Sequence, residues 1–369
     1  MERAFARARS GAEIVLAPGR YGTVSLTRKA FDDPIVVRSR QPWSAVLTTL
    51  RLRDVHGVEI RGVRIDAAGR PSGRYAKPRN AAIEITRSSR IRLTQNQIRG
   101  TPDGDFENDR MGVFVSKSTN IRVERNEIHN VLIGARFRET DHLKVVRNSV
   151  SDVAKDGMNF VGVRHVCIAN NWVFATHPNE VAHTDFIQFW NTKSDVPTSD
   201  VILRGNILFQ NNVHSTQALF IGDPPPSGYA RFTIDHNVIY TSAFHGITAS
   251  GLRDSSINNN TVITYPRLQW RAHISTEGQN LRVAGNVTTG LRLGTGVTAG
   301  GNMKVQSRDS NADGYYGAVF ADGFARSRVV PDLLLPPEGA AAPRATKAGA
   351  TTHLQAMLAG GALPGCETS

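Results

Sequence analysis

The sequence predicts an all-β fold, a single-stranded parallel β-helix with three strands per coil, and three observations predict it. First, seven segments repeat one program, a small or apolar strand start followed by an asparagine. Ala82 leads to Asn96, Gly112 to Asn126, Gly134 to Asn148, Gly157 to Asn171 and Gly246 to Asn260, each 14 residues on. Phe186 to Asn206 and Ala218 to Asn237 keep the order with five or six extra residues. Coils recur every 22 to 32 residues, a period expected of solenoids. Second, the strand starts alternate with period two. Ile83/Ile85, Val113/Val115, Ala135/Phe137, Met158/Phe160, Ile187/Phe189, Leu219/Ile221 and Ile247/Ala249 form an apolar inward column. Glu84, Phe114, Arg136, Asn159, Gln188, Phe220 and Thr248 form the outward one. Third, no helical stretch separates the strands, so they stack coil on coil rather than as βαβ units.

In chain order, residues 1–11 read as an amphipathic helix that caps the open first coil and covers its strand edges. Residues 12–305 are the β-helix. A coil divides as Gly157–Val161, His165–Ile168 and Trp172–Phe174. Asn tolerates left-handed backbone, and its amide can bond the coils above and below. Asn96, Asn126, Asn148, Asn171, Asn206, Asn237, Asn260, Asn286 and Asn302 are therefore expected to form an internal ladder. The periodicity fades after Asn302. Residues 306–369 read as an irregular C-terminal tail, with residues 329–350 an extended Pro/Ala-rich linker.

A solenoid grows by stacking, so 369 residues need only one domain. No run of 18 apolar residues exists, so no membrane span is expected. Cys167 and Cys366 supply no disulfide framework, which fits a reducing compartment. The 44 Lys and Arg against 32 Asp and Glu give a net charge of +12. That suits either solubility or an anionic partner. No nucleic-acid motif accompanies the charge, so nucleic acid is set aside and an anionic polysaccharide preferred.

The opening Ala12–Tyr21, Pro34–Ser39 and Val58–Ile65 resemble the first coils of bacterial right-handed β-helix carbohydrate-active proteins. These are the polysaccharide lyases of the chondroitinase B and alginate lyase type, mannuronan epimerases and tailspike-like depolymerases. His183–Trp190 with Asp200–Asn206 is similar to a recurring segment of the same group. The resemblance spans residues 10–300 and implies a right-handed helix and a secreted or periplasmic protein. The epimerases' Tyr-Gly-x-Asp-Pro-His-like cluster is absent, with Asp156–Asn159 in a comparable place. So are the paired aspartates of polygalacturonase-type hydrolases. One scaffold hosts several activities.

Excursions wall the first sheet: Asp66–Asn80 (basic, with Arg70, Arg74, Lys77 and Arg79), Gly100–Arg110 (acidic), Ala175–Thr184, Asn191–Thr198 and Asp223–Tyr229. Loops lengthened on one face of a repeat protein are commonly its binding walls. Between them an exposed polar stripe is expected, comprising Lys117, Arg136, Arg138, Lys155, Asp156, Asn159, His183, Asp185, Gln188, Trp190, His214 and His245.

Cleaving a uronate polymer by β-elimination requires three things. The sugar carboxylate must be neutralised, the C5 proton removed and the departing oxygen protonated. Arg136, Asp156, Lys117, His183 and Asp185 are the catalytic candidates. Arg138, Asn159, Lys155, Gln188, Trp190 and His245 are the substrate-binding ones. Each has a duller reading: a solvated arginine, a His183–Asp185 loop brace, or a turn residue at Asp156. Asp103, Asp105, Glu107 and Asp109 offer hard oxygens for calcium, or else form a solvated acidic loop paired with Arg110 or Arg70. No cofactor is required. The leading expectation is a lyase on an acidic polysaccharide. Alternatives are a hydrolase using Asp156 and Asp185, a uronate C5-epimerase, or a non-catalytic tailspike-like binder. Monomer and homo-oligomer are both open.

Overall fold

The computed structural model describes residues 1–69, 81–178, 183–191, 194–210, 214–225, 227–264, 271–320, 349–350 and 366. The regular structure of the described residues is almost all parallel β-strand, wound as a β-helix with three strands per turn. They fall into two compact units. One comprises residues 1–166, 176–184 and 193–196; the other comprises 167–175, 185–192 and 197–369.

In the first unit, helix Glu2–Arg7 opens the chain and buries Phe5 edge-on against Phe31, with ring centroids 5.5 Å apart. This is the expected cap. The first sheet stacks Ala81–Thr86, Met111–Ser116, Ala135–Arg138 and Met158–Val161. Ala135 pairs with Val113 on one side and Met158 on the other, so like positions superpose. The inward column is buried throughout, and Phe137 stacks on Phe160 at 5.1 Å. The strand starts are small for a steric reason. A Cβ on Gly112 would collide with the Gly134 carbonyl, and one on Gly134 with the Gly157 carbonyl and Val150.

In the second unit, a first sheet built the same way stacks Asp185–Phe189, Gln217–Ile221 and the starts of His245–Asn258 and His273–Ala284. The described part of the C-terminal segment is short. It contains a helical turn, Tyr316–Val319, and packs Tyr316, Val319, Phe320 and Ala350 over Phe209, Tyr240 and Ile263, which lie on the third-strand positions. Those outward positions are apolar, so leaving them open to water would cost several kcal/mol, at about 25 cal/mol per Å². Cys167 and Cys366 form a disulfide, with Cα atoms 5.7 Å apart. The expectation of unpaired cysteines is thereby corrected: coil winding, invisible to spacing alone, carries Cys167 to the docking site of the chain's end. Most of the 329–350 linker lies outside the described residues.

The asparagine ladder is present in both units. Asn96 donates from its backbone and side-chain nitrogens to Asn126 Oδ1, and Asn126 does the same to Asn148. In the second unit the pattern runs Asn171, Asn206, Asn237, Asn260, Asn286 and Asn302. The side chains of Asn96, Asn126, Asn148, Asn206, Asn237, Asn260, Asn286 and Asn302 also donate to a backbone carbonyl, as Asn148 does to Val123. The left-handed conformation, however, falls on the residue before each ladder asparagine: Gln95, Arg125, Arg147, Asn170, Gly205, His236, Asn259, Gly285 and Gly301. The turn takes its strain one position early, and the amide is chosen for bonding alone.

Candidate functional site

In the first unit the outward column brings Arg136, Asn159 and Asp156 together. Arg136 and Asn159 are directly cross-strand neighbours. Arg136 donates from Nε and Nη2 to Asn159 Oδ1 at 3.2 and 3.1 Å. Asn159 Nδ2 donates to Asp156 Oδ2 at 3.0 Å. Asn159 is 0 % exposed, which corrects its expected place on an open stripe: it is the buried middle of a relay, and only its neighbours reach the surface. Burial lowers the pKa of Arg136 from its ordinary value; Asp156 opposes that effect and Arg138 adds to it. An arginine remains charged regardless. Its half-buried guanidinium is therefore a fixed cation on the first-sheet face.

Arg138, one pleat further on, binds Glu139 Oε1 through Nε at 3.1 Å. Lys117 is exposed, in a left-handed turn whose N–H donates to the Arg138 carbonyl at 3.0 Å. Lys155 is half-buried. His183 is exposed. The basic residues Arg70, Arg74, Lys77 and Arg79 lie outside the described residues.

The acidic excursion folds onto itself. Asp103 Oδ1 accepts from the Asp105 N–H and Asp105 Oδ1 from the Glu107 N–H, each at 3.0 Å. Asn108 Nδ2 donates to Asp103 Oδ2. Asp109 is buried and accepts from the Thr101 N–H and hydroxyl. Burial raises its pKa, with the Thr101 bonds opposing. Among the described residues, no three of Asp103, Asp105, Glu107 and Asp109 bring ligand oxygens within 4.8 Å of one another. Arg110 does not pair with the loop either: it donates to the carbonyls of Ala67, Thr48 and Asp66 and to the Thr49 hydroxyl.

The loop instead places Phe106 against an outer apolar cluster of Ala81, Met111, Phe114, Leu132, Ile133 and Ala154. Phe114 is thus buried rather than outward-exposed, because the loop lies over it. The Phe106 ring also lies 4.3 Å from that of His177, whose Nε2 pairs with Asp152 Oδ1 at 3.0 Å. Burial alone would raise the Asp152 pKa, but bonds from His177 and Ser151 outweigh it and leave it lowered. Sequence reading missed this dyad. The period does not record it: one coil of 23 residues, Asn148 to Asn171, carries Asp152 to Ala175, two positions short of His177.

In the second unit, Asp185 is 1 % exposed and its Oδ2 accepts from Gln188 Nε2 at 2.8 Å. Its expected exposure is corrected by that burial. It also belongs to a different unit from His183. Trp190 and His214 are half-buried. His245 Nδ1 pairs with Thr248 Oγ1 at 2.7 Å, and its ring packs edge-on against Phe220 and Phe244.

Residues 49–262 match the family model described as "Right handed beta helix region". The chain belongs to this family. No curated protein matches its sequence. Among solved structures, a mutant PL6 family alginate lyase is 16% identical with a TM-score of 0.53 over 95% of this chain and 55% of its own. DFA-IIIase of Arthrobacter chlorophenolicus A6, without its lid, is 10% identical with a TM-score of 0.50, over 79% and 83% respectively. The A-module of the mannuronan C-5 epimerase AlgE4 of Azotobacter vinelandii is 12% identical with a TM-score of 0.48, over 84% and 91%. The chain spans about half the length of the alginate lyase, and identities this low speak for the fold alone.

Within this right-handed β-helix, the first unit offers a fixed guanidinium, a second arginine one pleat away and two imidazoles from residues 176–184. Chemically, that set can bind an anion and move a proton.

Proposed function

We propose that this β-helix protein is a polysaccharide lyase that cleaves an acidic, uronate-containing polymer by β-elimination. The observation that carries the reading is the Arg136–Asn159–Asp156 relay. A guanidinium held on a buried amide is pre-aimed, so it can bind a uronate carboxylate and stabilise the enolate that forms when the C5 proton leaves. The electron pair of that C–H bond then makes the C4–C5 double bond, the C4–O bond breaks, and the departing oxygen takes a proton. His183 and the Asp152-backed His177 are the groups for proton transfer, and Lys117 and Lys155 add positive charge.

The net charge of +12 favours an anionic polymer over a neutral one. The PL6 alginate lyase sharing this fold adds a precedent for the scaffold. The hydrolase alternative is disfavoured, because Asp185, at 1 % exposure, cannot present its carboxyl to a glycosidic bond as that chemistry demands. The Cys167–Cys366 disulfide favours an oxidising, exported setting.

The test is to incubate the protein with alginate, pectate, chondroitin sulfate and hyaluronan and follow ultraviolet absorbance. Unsaturated ends support the lyase. New reducing ends without absorbance mean a hydrolase, and C5 proton exchange in intact chains an epimerase. Binding without any of these identifies an adhesion protein.

A further inference from the structure

One cluster in the first unit takes no part in the proposed chemistry. Asp141 and His142 begin the second strand of one coil, Asp141–Val146, and His165 lies in the corresponding strand of the next coil, Arg164–Ala169. His142 and His165 both adopt left-handed backbone, with φ of 52° and 50°. That shared conformation projects the two side chains in parallel from stacked turns, and their rings lie face to face at 4.6 Å. Both Nδ1 atoms converge on one oxygen, Asp141 Oδ1, at 3.0 Å from His142 and 2.7 Å from His165. The three atoms lie within 4.8 Å of one another. No other group of three such side chains does so among the described residues.

We propose that Asp141, His142 and His165 form a binding site for a borderline transition-metal ion such as Zn²⁺, clipping two adjacent coils together. Imidazole and carboxylate donors suit zinc, nickel and copper rather than calcium or magnesium. With each Nδ1 within 3.0 Å of Oδ1 and all three atoms within 4.8 Å of one another, small side-chain rotations bring them to one ion at the usual bond length of about 2.0–2.2 Å. The left-handed turns fix both imidazoles before any ion arrives, so little ordering remains to oppose binding. Side-chain exposures of 57 % and 51 % leave the remaining coordination positions open to water. Arg164 Nη2 holds Asp141 Oδ2 at 2.9 Å. It orients the carboxylate so that Oδ1 faces the rings, yet its charge also repels a cation.

The metal-free alternative is a hydrogen-bonded brace, in which both imidazoles donate Nδ1–H to Asp141. The two differ in which atom sits between the groups, so a metal titration separates them. The experiment is isothermal titration of the full chain with Zn²⁺, repeated with Co²⁺ while recording visible absorbance. One ion per chain is expected, with a cobalt d–d band of nitrogen/oxygen coordination and a higher melting temperature that a chelator reverses. H142A and H165A should each weaken binding about tenfold or more, as loss of a primary ligand does. R164Q should tighten it by removing the competing charge. Wild-type protein that takes up no zinc at 100-fold molar excess, or binding unchanged in the H142A/H165A double variant, would overturn the site. Because readouts are binding and spectra rather than turnover, the result stands apart from the lyase proposal.

Discussion

Arg136 donates from both Nε and Nη2 to a single acceptor, Asn159 Oδ1, a contact that does not use its Nη1. The arrangement aims the cation without neutralising it, as a carboxylate partner would. Arg136→Ala should lower turnover of the uronate polymer by about 10²–10³-fold, the usual scale for losing one charge-stabilising donor. Arg136→Lys should recover little, since a point charge cannot reproduce the fork. Initial rates by ultraviolet absorbance, with circular dichroism as a fold control, check both.

His177→Ala and His183→Ala separate the two proton-transfer candidates. Loss of turnover with unchanged polymer binding is expected from whichever imidazole moves the proton. Asp152→Asn should shift the acid limb of the rate profile only if that imidazole is His177. A pH–rate series on the three variants reads this directly.

The ladder should be costly to break. Asn237 accepts from the Asn206 backbone and side chain and donates to the Leu203 carbonyl and Asn260 Oδ1. Asn237→Ala strands several of these buried groups at once. About 1–3 kcal/mol of stability should be lost, measured as a shift in the denaturant midpoint.

Gly134→Ala tests the stacking distance. Its Cβ would meet the Gly157 carbonyl and Val150, and forcing a methyl into such packing costs about 1–3 kcal/mol. A melting temperature equal to wild type would show that the coils can separate freely.

Acid sensitivity should trace partly to Asp235. Burial alone would raise its pKa, but hydrogen bonds from His236 and Arg204 win and hold it below 3.8. The folded pKa lies under the unfolded one, so the unfolded chain binds the extra proton. The contribution is therefore complete above the unfolded value and disappears as pH falls through the folded one. Asp235→Asn should flatten stability against pH below about 4, as read by urea unfolding.

The Cys167–Cys366 bond closes a 199-residue separation. Cys167→Ser, or reduction with dithiothreitol, should lower stability by about 2–4 kcal/mol. An unchanged melting temperature under reductant would mean the tail is held by Tyr316, Val319 and Phe320 alone.

The repeat by itself determined the β-helix, the inward column from Ile83 to Ala249 and the nine ladder asparagines. Each of these is a local periodicity, repeated because each coil must match the one beneath it. It also singled out Arg136, since one alternation rule assigns a strand residue to a face. What alternation cannot say is what lies over that face. The tertiary structure alone decided that Phe106 covers Phe114, that Asn159 and Asp185 are buried, and that Asp152 meets His177. It alone joined Cys167 to Cys366. Those outcomes depend on where excursions and chain ends come to rest, and no period in the sequence records that.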